Sequence, residues 1–142
     1  MVVVVAVEAA DHPGDEDVVD APLGRLAGPP EVVEREIERV EPAAEAALNA
    51  QGFTLGHFPQ SYEYATVGGC VATRSAGQAS TGYGRIDAMV VGLEAATPAG
   101  DVRLPAVPAS AAGPDLRELF VGSEGVLGVL TRVALRVRPL PA

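Results

Sequence analysis

The sequence LFVGSEGVLGVLTRVALRVRP, residues 119–139, joins a glycine-rich segment to the clearest strand of the chain. In its second half Val133, Leu135 and Val137 alternate with arginines, a pattern typical of a strand with one buried face. In its first half three glycines lie three residues apart around Glu124. Glycine lets main-chain N–H groups approach a ligand closely, so this half indicates either a binding loop or a tight turn that packs strands together.

Other segments predict further strands. The β-branched run at residues 1–9 predicts a buried strand, and residues 11–30, rich in acids, Pro and Gly, predict a loop or linker. Residues 89–97 and 101–104 flank the turn sequence TPAG and predict a β-hairpin.

The helices predicted between these strands are short. Residues 31–39 carry apolar side chains at helical spacing, and a second helix is expected at residues 42–50, closed by Gly52. The two are separated because Pro42 is tolerated only in a first helical turn. A third short helix is expected at residues 114–120. Helices and hairpin strands mixed in this order predict an α+β fold.

Composition narrows the class of protein. The 142 residues carry a net charge of −9 and no Lys, which argues against nucleic acid or an anionic membrane as the main partner. No apolar run is long enough for an integral membrane segment. The only cysteine, Cys70, has no internal disulfide partner, and no secretory signal is readable. We therefore expect a soluble cytoplasmic protein.

A second glycine-rich element, TVGGC at residues 66–70, lies in a long segment, residues 52–89, that shows no sustained period and predicts loops. Hydroxyls beside adjacent glycines could line a diphosphate or a flat heterocycle, while tight turns remain the alternative. The residues 122–128 loop precedes a strand and lacks G-x-G-x-x-G, so a Rossmann site is not predicted. A Walker-type phosphate loop is excluded because its lysine is missing.

Five motifs in order carry a family resemblance: PQS at residues 59–61, TVGGCVATRSAG at 66–77, YGRID at 83–87, TPAG at 97–100 and GPDLRELFVGSEGVLGVLT at 113–131. Together they resemble the FAD-linked oxidases, whose flavin domain is the PCMH-type fold, and most closely the alkyldihydroxyacetonephosphate synthase branch. Glycolate oxidase and D-lactate dehydrogenase share a looser version. The resemblance implies that residues 31–142 form part of that domain, its second subdomain, with a mostly antiparallel sheet and short flanking helices. Residues 1–30 match the family weakly.

The resemblance also implies which residues contact FAD. These residues lie along the flavin, beside the cofactor, or over its ribose and diphosphate: Gln60, Ser61, Tyr62, Glu63, Tyr64, Ala65, Thr66, Gly68, Gly69, Thr73, Arg74, Ser75, Ala76, Glu124, Gly125, Val126, Leu127, Gly128, Val129 and Leu130. Glu124 could hydrogen-bond a hydroxyl of the cofactor, or it could instead be an acid at a helix N-terminus.

We predict no catalytic residue and no metal site. His57 is expected to be structural, because no Ser or Cys nucleophile stands at a recognisable spacing from it. Cys70 stands where the family often has a bulky aromatic residue and is expected to be a small core residue. Two departures bear on the ligand: Gln60 is neutral where the family has an acidic or small residue, and residues 78–80 lack the basic side chains typical of the ether-lipid enzyme.

The resemblance leaves the activity open. In the family, a PxGGGTS loop precedes the matched region and a cap domain follows it, and neither pattern occurs here. We therefore expect the FAD-binding part of an FAD-linked oxidase, either a transferase of ether-lipid synthesis or an oxidoreductase acting on 2-hydroxy acids, that is inactive alone. A second chain could supply the missing segments. A non-catalytic interaction module is the remaining alternative.

Overall fold

A computed structural model describes residues 4–8, 33–34, 41–107 and 111–141. Its elements, in chain order, are β1 (Val4–Glu8), β2 (Val33–Glu34), α1 (Glu41–Asn49), β3 (Phe53–Thr54), α2 (Val67–Ala72), α3 (Ser80–Tyr83), α4 (Ile86–Met89), β4 (Val90–Thr97), β5 (Gly100–Leu104), α5 (Arg117–Phe120), β6 (Val129–Arg136) and β7 (Arg138–Pro139). The predicted linker, residues 11–30, lies outside the described residues.

Five strands form one sheet in the order β2-β1-β6-β4-β5. Strand β6 is central and runs antiparallel to both neighbours, with Leu135 opposite Val5 of β1 and Val133 opposite Leu93 of β4. Among the strands of the described residues, only the β1–β2 pair is parallel. This arrangement confirms the predicted α+β class with a mostly antiparallel sheet and short helices.

The core lies on one face of this sheet. Val133 and Leu135 of β6, with Val137 just after it, are buried on the predicted face. Helices α1, α2 and α4 cover them with small or branched apolar side chains: Leu48, Val67, Val71 and Ile86. On the opposite face Ala134 packs with Val91 and Ala106 in a smaller cluster, so β6 is covered on both sides over part of its length.

Several predicted elements are confirmed. Strand β1 lies inside the predicted run, α1 begins one residue before Pro42, and the hairpin β4–β5 turns at the TPAG sequence. Helix α5 is shorter than predicted, because Asp115 accepts a hydrogen bond from the main-chain N–H of Arg117 and the helix begins there.

Two predictions were wrong. Val33 and Glu34 form a strand where a helix was predicted, because the edge of β1 offers hydrogen-bond partners to this β-branched segment. The rest of that predicted helix that precedes residue 41 lies outside the described residues. Residues 52–89 were predicted as loops, yet they contain the helices α2, α3 and α4. The signal that was missed is Thr66, whose hydroxyl accepts a hydrogen bond from the N–H of Gly69 and caps α2.

No helix in the described part of the chain is long and apolar enough to cross a membrane.

A second, two-stranded sheet pairs β3 with β7, so that Phe53 lies opposite Pro139. This pairing fixes the segment that follows β3, residues 55–59, beside the end of the central sheet. The segment carries His57 and leads into the first predicted flavin segment.

Candidate functional site

Helix α2 organises the second predicted flavin segment. Besides the Thr66 cap, the Thr73 hydroxyl donates a 2.9 Å hydrogen bond to the carbonyl of Gly69, so threonines close both ends of the helix. The two glycines were considered as a tight turn, but the structure places them within this helix. Gly69 and Thr73 are exposed, and a Cβ added at Gly68 would meet no protein atom within 4 Å. The outer side of α2 is therefore open to a ligand.

The third predicted segment lies against the end of this helix. The N–H of Gly122 donates to the carbonyl of Val71 at 3.0 Å, and the N–H of Glu124 donates to that of Ala72 at 2.9 Å. We call residues 71–74 and 121–125, which these bonds join, the loop junction. Two segments that lie about fifty residues apart in sequence thus form one surface.

Arg74 holds the loop junction together. Its Nε donates to the carbonyl of Val121 at 2.9 Å, and its guanidinium also pairs with the carboxylates of Glu118 and Asp87. Gly122 lies against this side chain: an added Cβ there would stand 2.7 Å from Arg74 Cγ. The predicted role of Arg74 as an FAD contact remains a prediction. In the structure its guanidinium is occupied by protein partners.

Main-chain strain is concentrated at the junction. Among the described residues, the non-glycine residues with left-handed backbone are Arg74 at φ 52° and Glu124 at φ 51°. Side chains other than glycine adopt this conformation at a cost, and such residues tend to occur at functional sites. Glu124 lies in the turn between α5 and β6, so the alternative that it is a helix N-terminal acid was wrong. Its side chain is exposed.

The surroundings of the junction are open and apolar. All twenty predicted FAD-contact residues are at least partly exposed. The most exposed apolar side chains among them are Tyr64 and Val126, each 85% exposed, and Val129, 65% exposed. An added Cβ at Gly125, where φ is 85°, would meet no protein atom within 4 Å. Main-chain N–H groups, an exposed carboxylate and an apolar rim fit the diphosphate, the ribose hydroxyls and the flat ring of a flavin nucleotide.

The first predicted segment is a pair of turns next to α2. Tyr62 donates its N–H to the carbonyl of Pro59, and the carbonyl of Ala65 accepts from the N–H of Glu41 at the start of α1. Gln60, Glu63 and Tyr64 are exposed on these turns. Ser75 differs from the other predicted contacts, because its hydroxyl lies 2.6 Å from Nε2 of buried His57 and is therefore engaged on the protein side.

Beneath α2 lies a group of buried polar side chains that sequence reasoning missed. We call Glu41, Glu45, His57 and Cys70 the buried polar cluster; each is at most 6% exposed. Burial raises the pKa of the Glu41 carboxyl to about 7 and that of the Cys70 thiol to about 12, and it lowers the pKa of His57. The core position predicted for Cys70 is confirmed, and the structural role of His57 stays a prediction.

The comparisons with known proteins agree with the geometry. Residues 41–104 match the FAD binding domain family. The FAD-linked oxidoreductase YgcU of Escherichia coli K12 is 52% identical over 94 residues, which cover 66% of this chain and 19% of that protein. The alkyldihydroxyacetonephosphate synthase of Caenorhabditis elegans is 42% identical over 98 residues, covering 68% of this chain and 16% of that one.

A solved structure of alkyldihydroxyacetonephosphate synthase superimposes with a TM-score of 0.67 at 38% identity, covering 73% of this chain and 18% of that one. Other relatives include a mitochondrial D-lactate dehydrogenase of Arabidopsis thaliana, 44% identical over 79 residues, and a glycolate oxidase subunit of Bacillus subtilis, 34% identical over 97 residues. This chain therefore spans about a fifth of the length of the relatives it matches.

Proposed function

Because this chain belongs to the FAD-linked oxidase family, whose cofactor is FAD, we propose that its loop junction and the turns at residues 60–65 form one side of an FAD site. The observation that carries the proposal is that Arg74 and Glu124 both have left-handed backbone at the loop junction. They are the strained non-glycine residues of the described part, they come from separate predicted segments, and hydrogen bonds join those segments. Strain held in place by such bonds is typical of a ligand site.

Each part of the site has a task that follows from its chemistry. The open main chain at Gly68 and Gly125 admits the diphosphate, the carboxylate of Glu124 accepts hydrogen bonds from ribose hydroxyls, and the exposed apolar side chains cover the ring. FAD, when bound, supplies a ring that accepts a hydride. The residues of this chain bind and orient it.

The whole protein, in this proposal, resembles alkyldihydroxyacetonephosphate synthase and acts in ether-lipid synthesis. The matched segments make up only 19% and 16% of two of these relatives, so segments beyond those matched here would complete the flavin site and supply the substrate cap, in the same chain or in a partner chain. These residues alone would be inactive. A reducing cytoplasmic location belongs to the same proposal, since the only cysteine is a buried thiol.

One observation favours a second candidate, an FAD-dependent dehydrogenase of 2-hydroxy acids. Gln78, Ala79 and Ser80 are neutral and at least partly exposed, where an enzyme with a phosphate-bearing substrate would gain from basic side chains. Assay of the whole protein with D-lactate or glycolate and an artificial electron acceptor distinguishes the two. Reduction of the acceptor supports the dehydrogenase, and exchange of an acyl for an alkyl chain supports the synthase.

The test of the proposed site is an FAD titration of the 142-residue chain, followed by quenching of flavin fluorescence. We expect the unaltered chain to quench the fluorescence of FAD. Gly68→Ala should lower the affinity for FAD at least about tenfold, because the added methyl group occupies the space that the cofactor requires. Gly82→Ala is the matched control. Gly82 also lies in a helix, α3, and an added Cβ there also meets no protein atom within 4 Å.

Both substitutions should leave the fold intact, since the helix propensity of alanine is higher than that of glycine. Equal affinity in the two variants would show that the open side of α2 does not face FAD. A folded chain that leaves flavin fluorescence unchanged would show that these segments do not suffice for binding.

A further inference from the structure

Three side chains of the buried polar cluster converge on one point. Glu41 begins helix α1, His57 follows strand β3, and Cys70 lies in α2. Their carboxylate oxygen, ring nitrogen and sulfur all lie within 4.8 Å of one another. Each residue is at most 3% exposed. Three separate parts of the chain thus bring three different metal-binding atoms together out of contact with water.

The polar atoms at this point are only partly satisfied by the protein. Among the described residues, neither carboxylate oxygen of Glu41 accepts a hydrogen bond from an N–H or hydroxyl group, although Oε1 lies 3.5 Å from Nε2 of His57, and Nδ1 of His57 has no hydrogen-bond partner. Glu45, one turn further along α1, is better satisfied, since its two oxygens accept from the hydroxyl of Thr54 and the N–H of Leu55. A buried carboxylate with so few donors is costly, so a bound cation would account for the difference between the two acids.

We propose that Glu41, His57 and Cys70 bind a zinc ion. Sulfur, imidazole nitrogen and carboxylate oxygen are the ligands that zinc takes in proteins, and a tetrahedral zinc ion holds its ligand atoms about 3–4 Å apart. Small rotations of side chains that already lie within 4.8 Å reach that spacing. The charges also balance, because a divalent ion neutralises one carboxylate and one thiolate.

Ser75 is placed to complete the site. Its hydroxyl lies 2.6 Å from Nε2 of His57, so an oxygen stands beside one of the three ligands. With all donors from protein and no contact with solvent, this would be a closed, structural site. It would tie α1, the segment after β3 and α2 to one ion, in a domain whose core is built from small side chains with only 4% aromatic residues.

The test uses the purified 142-residue chain, stripped with a chelator and reloaded with zinc or cobalt. We expect one metal ion per chain after dialysis. Cobalt should give a thiolate-to-metal charge-transfer band, which only Cys70 can produce because the chain has no other cysteine. Cys70→Ser should abolish that band, and Glu41→Gln should weaken zinc binding by at least about 100-fold.

Two controls separate this site from adventitious binding. Glu63→Gln makes the same chemical change at an exposed acid and should leave zinc affinity unchanged. His12→Gln removes the other histidine, which lies in the acidic segment outside the described residues, and should also leave zinc affinity unchanged. If Cys70→Ser does not fold, the cobalt spectrum of the unaltered chain still decides the question. Zinc bound without the charge-transfer band, or no zinc retained, would overturn the proposal.

Discussion

Helix α2 contributes to both the loop junction and the buried polar cluster, and the two regions satisfy their polar groups in different ways. At the junction Arg74 pairs with Glu118 and Asp87, which lie just outside it, and all three side chains have partial access to water. In the cluster, Glu45 accepts two hydrogen bonds, whereas Glu41 accepts none from an N–H or hydroxyl group of the described residues. Water can replace a lost partner at the junction but not in the cluster. We therefore expect substitutions in the cluster to affect stability and those at the junction to affect binding.

The largest effect on stability is expected from removing Glu45, the acid of the cluster whose two oxygens both accept hydrogen bonds. Glu45→Ala leaves the Thr54 hydroxyl and the Leu55 N–H buried without an acceptor, and each unpaired group costs about 1–3 kcal/mol. We expect the free energy of unfolding to fall by about 3 kcal/mol, measured by urea denaturation.

Glu45→Gln keeps one oxygen and should lose less than the alanine variant. Glu63→Ala, at an exposed acid, should change the free energy of unfolding by no more than about 0.5 kcal/mol. Equal losses in Glu45→Ala and Glu63→Ala would contradict the distinction between the two regions.

The same contrast explains what the sequence could and could not reveal. The loop junction could be predicted, because its glycines, Arg74 and Glu124 belong to motifs that occur in order. Strand β6 and the hairpin could be predicted as well, because alternation and the TPAG turn are local signals. The strand and the hairpin depend on residues that are close in sequence, and each of the two segments of the junction carries a motif of its own.

The buried polar cluster could not be predicted in this way. Glu41, His57 and Cys70 are separated by more than ten residues at each step, and each taken singly is an ordinary helix acid, a lone histidine or a small core residue. Only the folded arrangement of α1, α2 and the segment after β3 brings them together. Helix α2 itself was missed because two adjacent glycines disfavour helix, while the Thr66 cap and the burial of Val67 and Val71 outweigh that preference.

A smaller effect on stability, with a clear effect on binding, is expected at Arg74. Arg74→Ala removes the hydrogen bond to Val121 and the ion pairs with Glu118 and Asp87, but the side chain is 36% exposed and its pairs are screened by water. We expect a loss of about 1 kcal/mol in stability. FAD affinity should fall about tenfold, because the Gly122–Gly125 turn is no longer held against α2.

Arg103→Ala is the matched control for this variant. Arg103 is also half exposed and pairs with Glu94 on the hairpin, away from the junction. If both arginine variants bind FAD with the affinity of the unaltered chain, as measured by quenching of flavin fluorescence, Arg74 does not position the site.

The smallest effect on stability, and of opposite sign, is expected at Glu124. Because its backbone is left-handed at φ 51°, Glu124→Gly removes the steric cost of the Cβ, partly offset by the greater freedom of glycine in the unfolded chain. We expect the free energy of unfolding to rise by up to about 1 kcal/mol. FAD affinity should fall, because the exposed carboxylate that would accept hydrogen bonds from the ribose is lost. Asp101→Gly, at an exposed acid of β5 without left-handed backbone and outside the proposed site, should only destabilise the chain. A Glu124→Gly variant that is more stable yet binds FAD as before would show that the strain serves the fold of the turn and not the cofactor.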